Sequence, residues 1–125
     1  MSMDRERIEE LANEILEWLK ENSLWVDCRI YFNGMAYSTD DRDGSYTSGR
    51  INDVHIIKDI NPRDYFDYAG DILSMSFEGP LYEVFNGYAG HISTKLCHEF
   101  SSILSEYGLY YELGNAWNLS VYPNE

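Results

Sequence analysis

The stretch Leu24-Trp25-Val26-Asp27-Cys28-Arg29-Ile30-Tyr31-Phe32-Asn33-Gly34-Met35-Ala36-Tyr37 decides the fold class, because its apolar residues recur with a period of two. Leu24, Val26, Cys28, Ile30 and Phe32 fall on one face of a strand, with Trp25 and Tyr31 on the other. Asn33-Gly34 supplies the two positive-φ residues of a tight hairpin turn, so Met35-Ala36-Tyr37 begins the return strand.

Upstream the period changes to that of a helix. Ile8, Leu11, Ala12, Ile15, Leu16 and Leu19 form one apolar stripe, which predicts a helix over about residues 3–21. Ser2 or Asp4 can cap its start and Asn22 can end it. Downstream, Asp53 to Ile57 reads as a third strand and Asn61-Pro62 as the start of a short helix that Gly70 stops. Leu73, Met75 and Phe77 alternate with serines as a fourth strand, and residues 81–85 fit one helical turn between Gly79-Pro80 and Asn86-Gly87. Ser93 is the expected cap of a second long helix ending at Gly108, buried through Leu96, Phe100, Ile103, Leu104 and Tyr107. A last hairpin runs from Leu109 to Tyr122 around Gly114-Asn115. The fold class is therefore α+β: a mostly antiparallel sheet of five or six strands, with two long helices packed on one face. The two helix-to-hairpin joints, Glu21-Asn22-Ser23-Leu24-Trp25 and Glu106-Tyr107-Gly108-Leu109-Tyr110, look alike.

Length and composition place all of residues 1–125 in a single acidic domain. At 125 residues, with 44% hydrophobic and 15% aromatic content, the chain can bury a core without metal or disulfide support. No apolar run is long enough to span a membrane. The start, Met1-Ser2-Met3-Asp4-Arg5-Glu6, lacks the features of a signal peptide, which predicts a cytoplasmic protein. Cys28 and Cys97 both fall on apolar faces and read as small hydrophobes.

Charge is the outlier: 22 Asp and Glu against 9 Lys and Arg give a formal net of −13. Residues 64–125 hold nine acids and one base, Lys95. Nucleic-acid binding neutralises phosphates with cations, so direct binding to DNA or RNA is not expected. Catalysis and metal binding find little support. His55, His91 and His98 are scattered without an acid–base partner, and the cysteines lack the paired spacing of a zinc site. Thr39 to Arg50 places Asp41, Asp43 and Gly44 as a calcium loop would, but puts Thr39 first and Arg50 last, where Asp and a bidentate Glu are needed. The expected reading is no enzyme, no metal and no cofactor.

Two features suggest a role. The first helix carries Glu6, Glu9, Glu10, Glu14, Glu17 and Glu21 within an arc of roughly 140°, opposite the apolar stripe. The acids span about 22 Å, one per ~4.5 Å of axis, against one phosphate per ~3.4 Å along a DNA strand. Glu6–Glu10, Glu10–Glu14 and Glu17–Glu21 are like-charge pairs, each costing about 0.2–0.5 kcal/mol of helix stability. The second feature is eleven tyrosines and three tryptophans, residue types enriched at interfaces.

In charge, size and tyrosine content the chain is similar to the small acidic inhibitors of phages and mobile elements that block restriction or CRISPR enzymes, and to immunity proteins that mask nuclease toxins. The similarity implies a DNA-mimic-like inhibitor that docks onto a basic, nucleic-acid-binding surface of a partner protein. The expected docking residues are Glu6, Glu10, Glu14, Glu17 and Glu21, with Asp40, Asp41, Asp43 and Tyr46 from the polar loop. The alternative is a structural or adaptor domain, a homodimer through an exposed sheet face, whose acidity serves solubility.

Overall fold

The computed structural model describes residues 3–40, 54–66 and 69–124. Helix α1 (Arg5–Glu21) leads into strands β1 (Cys28–Phe32), β2 (Met35–Ser38) and β3 (His55–Lys58). A 3-10 turn (Pro62–Asp64), β4 (Leu73–Phe77) and a short helix α2 (Pro80–Phe85) follow, then α3 (His91–Glu106) and the hairpin β5 (Leu109–Asn115) and β6 (Asn118–Pro123). The six strands form one antiparallel sheet in the order β3-β2-β1-β4-β6-β5. The fold is α+β, as the two hydrophobic periods require.

Alternation across the sheet separates two cores. Tyr37, Ile30, Met75 and Leu119 lie side by side in register and belong to the larger cluster, which both long helices cover. Ala36, Tyr31, Ser74 and Ser120 form the neighbouring row and face the other way. There Tyr31, Ala36 and Ile57 meet Ile60, Phe66 and Ala69 from the segment that crosses between β3 and β4. Polar groups on this face pair with one another: the Ser74 and Ser120 hydroxyls are 2.7 Å apart, and Gly70 N–H donates to Ser120 Oγ at 3.0 Å.

α1 and α3 run antiparallel. Trp18 packs at a tilt on Phe100, with ring centres 5.5 Å apart, and donates from Nε1 to Glu99 Oε1 at 3.0 Å, while at the other end the Arg7 guanidinium sits 4.6 Å from the Tyr107 ring centre. Asp4 caps α1 by accepting from Arg7 N–H at 2.8 Å.

Several boundaries differ from those the periods predict. The strand does not begin at Leu24. Ser23 (φ 58°) and Asp27 (φ 52°) are left-handed, so the chain kinks twice between α1 and β1. Leu24 N–H closes the helix end on Leu19 O at 2.7 Å, and the second kink leaves Val26 exposed while Leu24 and Trp25 both enter the core. Trp25 is therefore not an outward residue. Tyr31 does occupy the opposite face, but buried in the second core.

Ser93 does not cap α3, which starts two residues earlier after Gly90 (φ 64°). Its hydroxyl is buried, accepting from Ala89 N–H and donating to Glu83 O, and so ties α3 to the end of α2. The short helix after Asn61 is a single 3-10 turn that ends at Asp64, well before Gly70. The last turn is Ala116-Trp117, not Gly114-Asn115. A register shift between Leu113 and Asn115 absorbs the extra residue, and Trp117 packs edge-on against Phe66 at 5.6 Å. The two helix-to-hairpin joints do share a left-handed residue, Ser23 in one and Gly108 in the other. Their hairpins enter the sheet in opposite senses, β1 inward of β2 but β6 inward of β5, so they are not one unit used twice in the same way.

One close approach fixes where α2 begins. Glu78 N–H donates to Asp27 O at 2.9 Å, and a Cβ built on Gly79 would lie 2.5 Å from the Val26 carbonyl oxygen. Backbone on both sides leaves no flexible atom to yield. Gly79→Ala is expected to lower stability by about 1–3 kcal/mol, seen as a lower urea midpoint; an unchanged midpoint would show that the 26–27 kink is free to move.

Candidate protein-docking site

Every acid of α1 projects into solvent: Glu6, Glu9, Glu10, Glu14, Glu17 and Glu21 are all exposed. Among the described residues one of them has a cationic partner, Glu17, whose carboxylate lies 3.7 Å from Lys20 Nζ. Glu17 is exposed and Lys20 half-buried, and an ion pair this open to solvent neutralises little. The arginines closest in sequence are engaged elsewhere. Arg5 donates to Asn33 O at 3.0 Å, across the first hairpin turn. Arg7 lies over Tyr107 and points an amino group at Glu106 O, 3.4 Å away, where it offsets the negative end of α3.

The row divides when α3 is in place. Glu10, Glu14, Glu17 and Glu21 line an open groove of about 680 Å³ between α1 and α3. Trp18, Ile103 and Tyr107 contribute its apolar surface, and Glu106 adds one acid from the α3 side. Glu6 and Glu9 are exposed but outside the groove; burial and then the Glu9 charge push the Tyr37 phenol up from its ordinary pKa. The Tyr107 phenol is also pushed up, first by burial and then by Glu14 and Glu10, with Arg7 opposing. Both glutamates thus act on the same ring, so their fields overlap in the groove.

Asp40 belongs to another place. On the far face of the sheet, Arg29 is almost wholly buried, and its Nε lies 3.0 Å from Ser38 Oγ and 3.3 Å from Asp40 Oδ1. Burial opposes the Arg29 charge, but hydrogen bonding to Tyr31 and the Asp40 carboxylate outweigh it and raise the guanidinium pKa. The charge of Asp40 is committed to this pair, so Asp40 does not extend the acidic row of α1. Asp41, Asp43 and Tyr46 lie outside the described residues. With Tyr65, Ser76 and Trp117, the Arg29–Asp40 pair borders a cleft of about 290 Å³.

The histidines do not border these concavities. His91 opens α3, His98 is exposed on it, and His55 is on the sheet-edge strand β3. Among the described residues no three His, Cys, Asp or Glu side chains converge to hold a metal ion, and no helix is long and apolar enough to cross a membrane. Cys28 and Cys97 are free thiols, and burial raises the pKa of both. The apolar part of the groove was invisible in the sequence as surface. Ile103 and Tyr107 lie on the stripe that faces the core, and only the packing of α3 beside α1 leaves their edges in the groove.

No family model, no curated protein and no solved structure matches the chain.

Proposed function

We propose that the chain is a binding protein, not an enzyme, and that its acidic α1 face docks onto a basic, nucleic-acid-binding surface of a partner protein and blocks it. One observation carries this reading. Four carboxylates, Glu10, Glu14, Glu17 and Glu21, stand in a row beside the half-buried Ile103 and Tyr107 and the rim of the buried Trp18, while Arg5 and Arg7 are held by contacts to the backbone and to Tyr107. A helix selected for stability alone would intersperse lysines along such a row. Negative potential concentrated along one element speeds encounter with a cationic surface, and the adjacent aromatic edges supply the short-range contact that holds it.

Salt and competition test the reading together. The immobilised chain is expected to retain basic proteins from a lysate at about 50 mM salt and to release them by about 500 mM, as screening shortens the reach of the row. Duplex DNA added at low salt should displace the same proteins, since both compete for one cationic surface. Failure to retain any basic protein, or retention that DNA leaves untouched, would remove the proposal.

A further inference from the structure

We infer that the α1–α3 groove takes an amphipathic, cationic α-helix of the partner, its lysines or arginines along Glu10, Glu14, Glu17 and Glu21 and its apolar side against Trp18, Ile103 and Tyr107. The inference rests on the docking role proposed above and names the shape of what docks.

Spacing is the first reason. The four carboxylates follow one another at intervals of four, three and four residues, the heptad spacing by which one helix tracks another. They advance about 5.4 Å per turn and cover about 16 Å of axis. A helical partner repeats its cations at the same interval and stays in register over all four. An extended segment presents same-face side chains every ~6.7 Å, and over three intervals falls about 4 Å out of step.

Asymmetry is the second. The acids are concentrated on the α1 wall, and the α3 wall adds only Glu106 to the groove. Two parallel rails of charge would suit a cleft that wraps both strands of a duplex. A single rail beside an apolar strip suits a helix with one cationic flank and one apolar face.

Two synthetic peptides of about 18 residues, long enough for the row and with identical leucine and lysine content, separate shape from charge. In one, the order segregates leucine and lysine on a helix; in the other, the same residues are permuted so that no helical face forms. Each is titrated by calorimetry into the full chain and into Ile103→Asn, whose thermal midpoint is recorded alongside. The patterned peptide is expected to bind at least about tenfold tighter than the permuted one at ~150 mM salt, and to lose at least about fivefold against Ile103→Asn. The permuted peptide should not distinguish the two proteins. Equal affinities for the unmodified chain would overturn the helix inference and leave the electrostatic docking role standing. Binding of neither peptide at about 50 mM salt would overturn both.

Discussion

Phe100→Ala is expected to cost about 3–5 kcal/mol of folding stability, the upper range for truncating a buried aromatic residue. Phe100 is fully buried, and four elements meet on it. Its ring is 5.5 Å from Trp18 of α1, 5.3 Å from Phe85 of α2 and 5.2 Å from Tyr111 of β5, with α3 itself the fourth. These neighbours are poorly placed to collapse into the space. Trp18 is pinned by its bond to Glu99, and Phe85 is held on its other side by Phe77 at 5.2 Å. The cavity term therefore adds to the lost transfer energy with little relief. Against a total of about 5–15 kcal/mol for an ordinary domain, the loss is severe. It should appear as a fall of roughly 10–20 °C in the thermal midpoint and as a lower urea midpoint with unchanged slope. A cost below about 1 kcal/mol would mean that α1 and α3 close over the gap, and that their packing is looser than the ring geometry indicates.

Residue period made the elements legible, and side-chain chemistry set their limits. The stripe of α1, the Asn33-Gly34 turn and the alternation of β4 each follow from a local rule, and each stands where that rule places it. The departures occur where a long-range contact overrides local preference. The apparent strand from Leu24 fails because Asp27 adopts a left-handed conformation beside the Glu78-Gly79 backbone, a neighbour about fifty residues away that no local pattern announces. Ser93 has the chemistry of a helix cap, but its hydroxyl serves the α2–α3 junction instead. The final turn moved by two residues because Gly114 could be absorbed as a bulge, while Trp117 had Phe66 to pack against.

For the site, charge was legible and grouping was not. A helical wheel puts Glu6 and Glu21 on the same face, yet α3 runs beside only part of α1, and the groove gathers Glu10 to Glu21 without Glu6. Asp40 looked like an extension of the acidic surface because a sequence does not show which side of the sheet a loop residue reaches. Arg29, pointing away from the helices, draws it to the far face. The tyrosine surplus was a mixed signal for the same reason. Tyr31 and Tyr37 are core, whereas Tyr88 is 73% exposed and so available for contact.

Reversing Glu10, Glu14 and Glu17 to lysine should separate binding from folding, because the two depend on different neighbours. Each reversal turns an attraction toward a cationic partner into a repulsion. At about 1 kcal/mol per contact the three together weaken binding by about 3 kcal/mol, or roughly a hundredfold, and flatten its salt dependence. Within the helix the changes nearly cancel. Glu6 and Glu21 each gain an attractive four-residue partner, at positions 10 and 17 respectively, where a second glutamate repelled them. Against that, the Glu17–Lys20 contact and the favourable Arg7–Glu10 spacing are lost. Folding stability should therefore stay within about 1 kcal/mol of the parent, since none of the three side chains enters the core. Loss of capture with an unmoved thermal midpoint is the expected pair of results. Undiminished capture would place the interface away from α1, and the carboxylate row would then be a solvated helix face whose mutual repulsion the core simply tolerates.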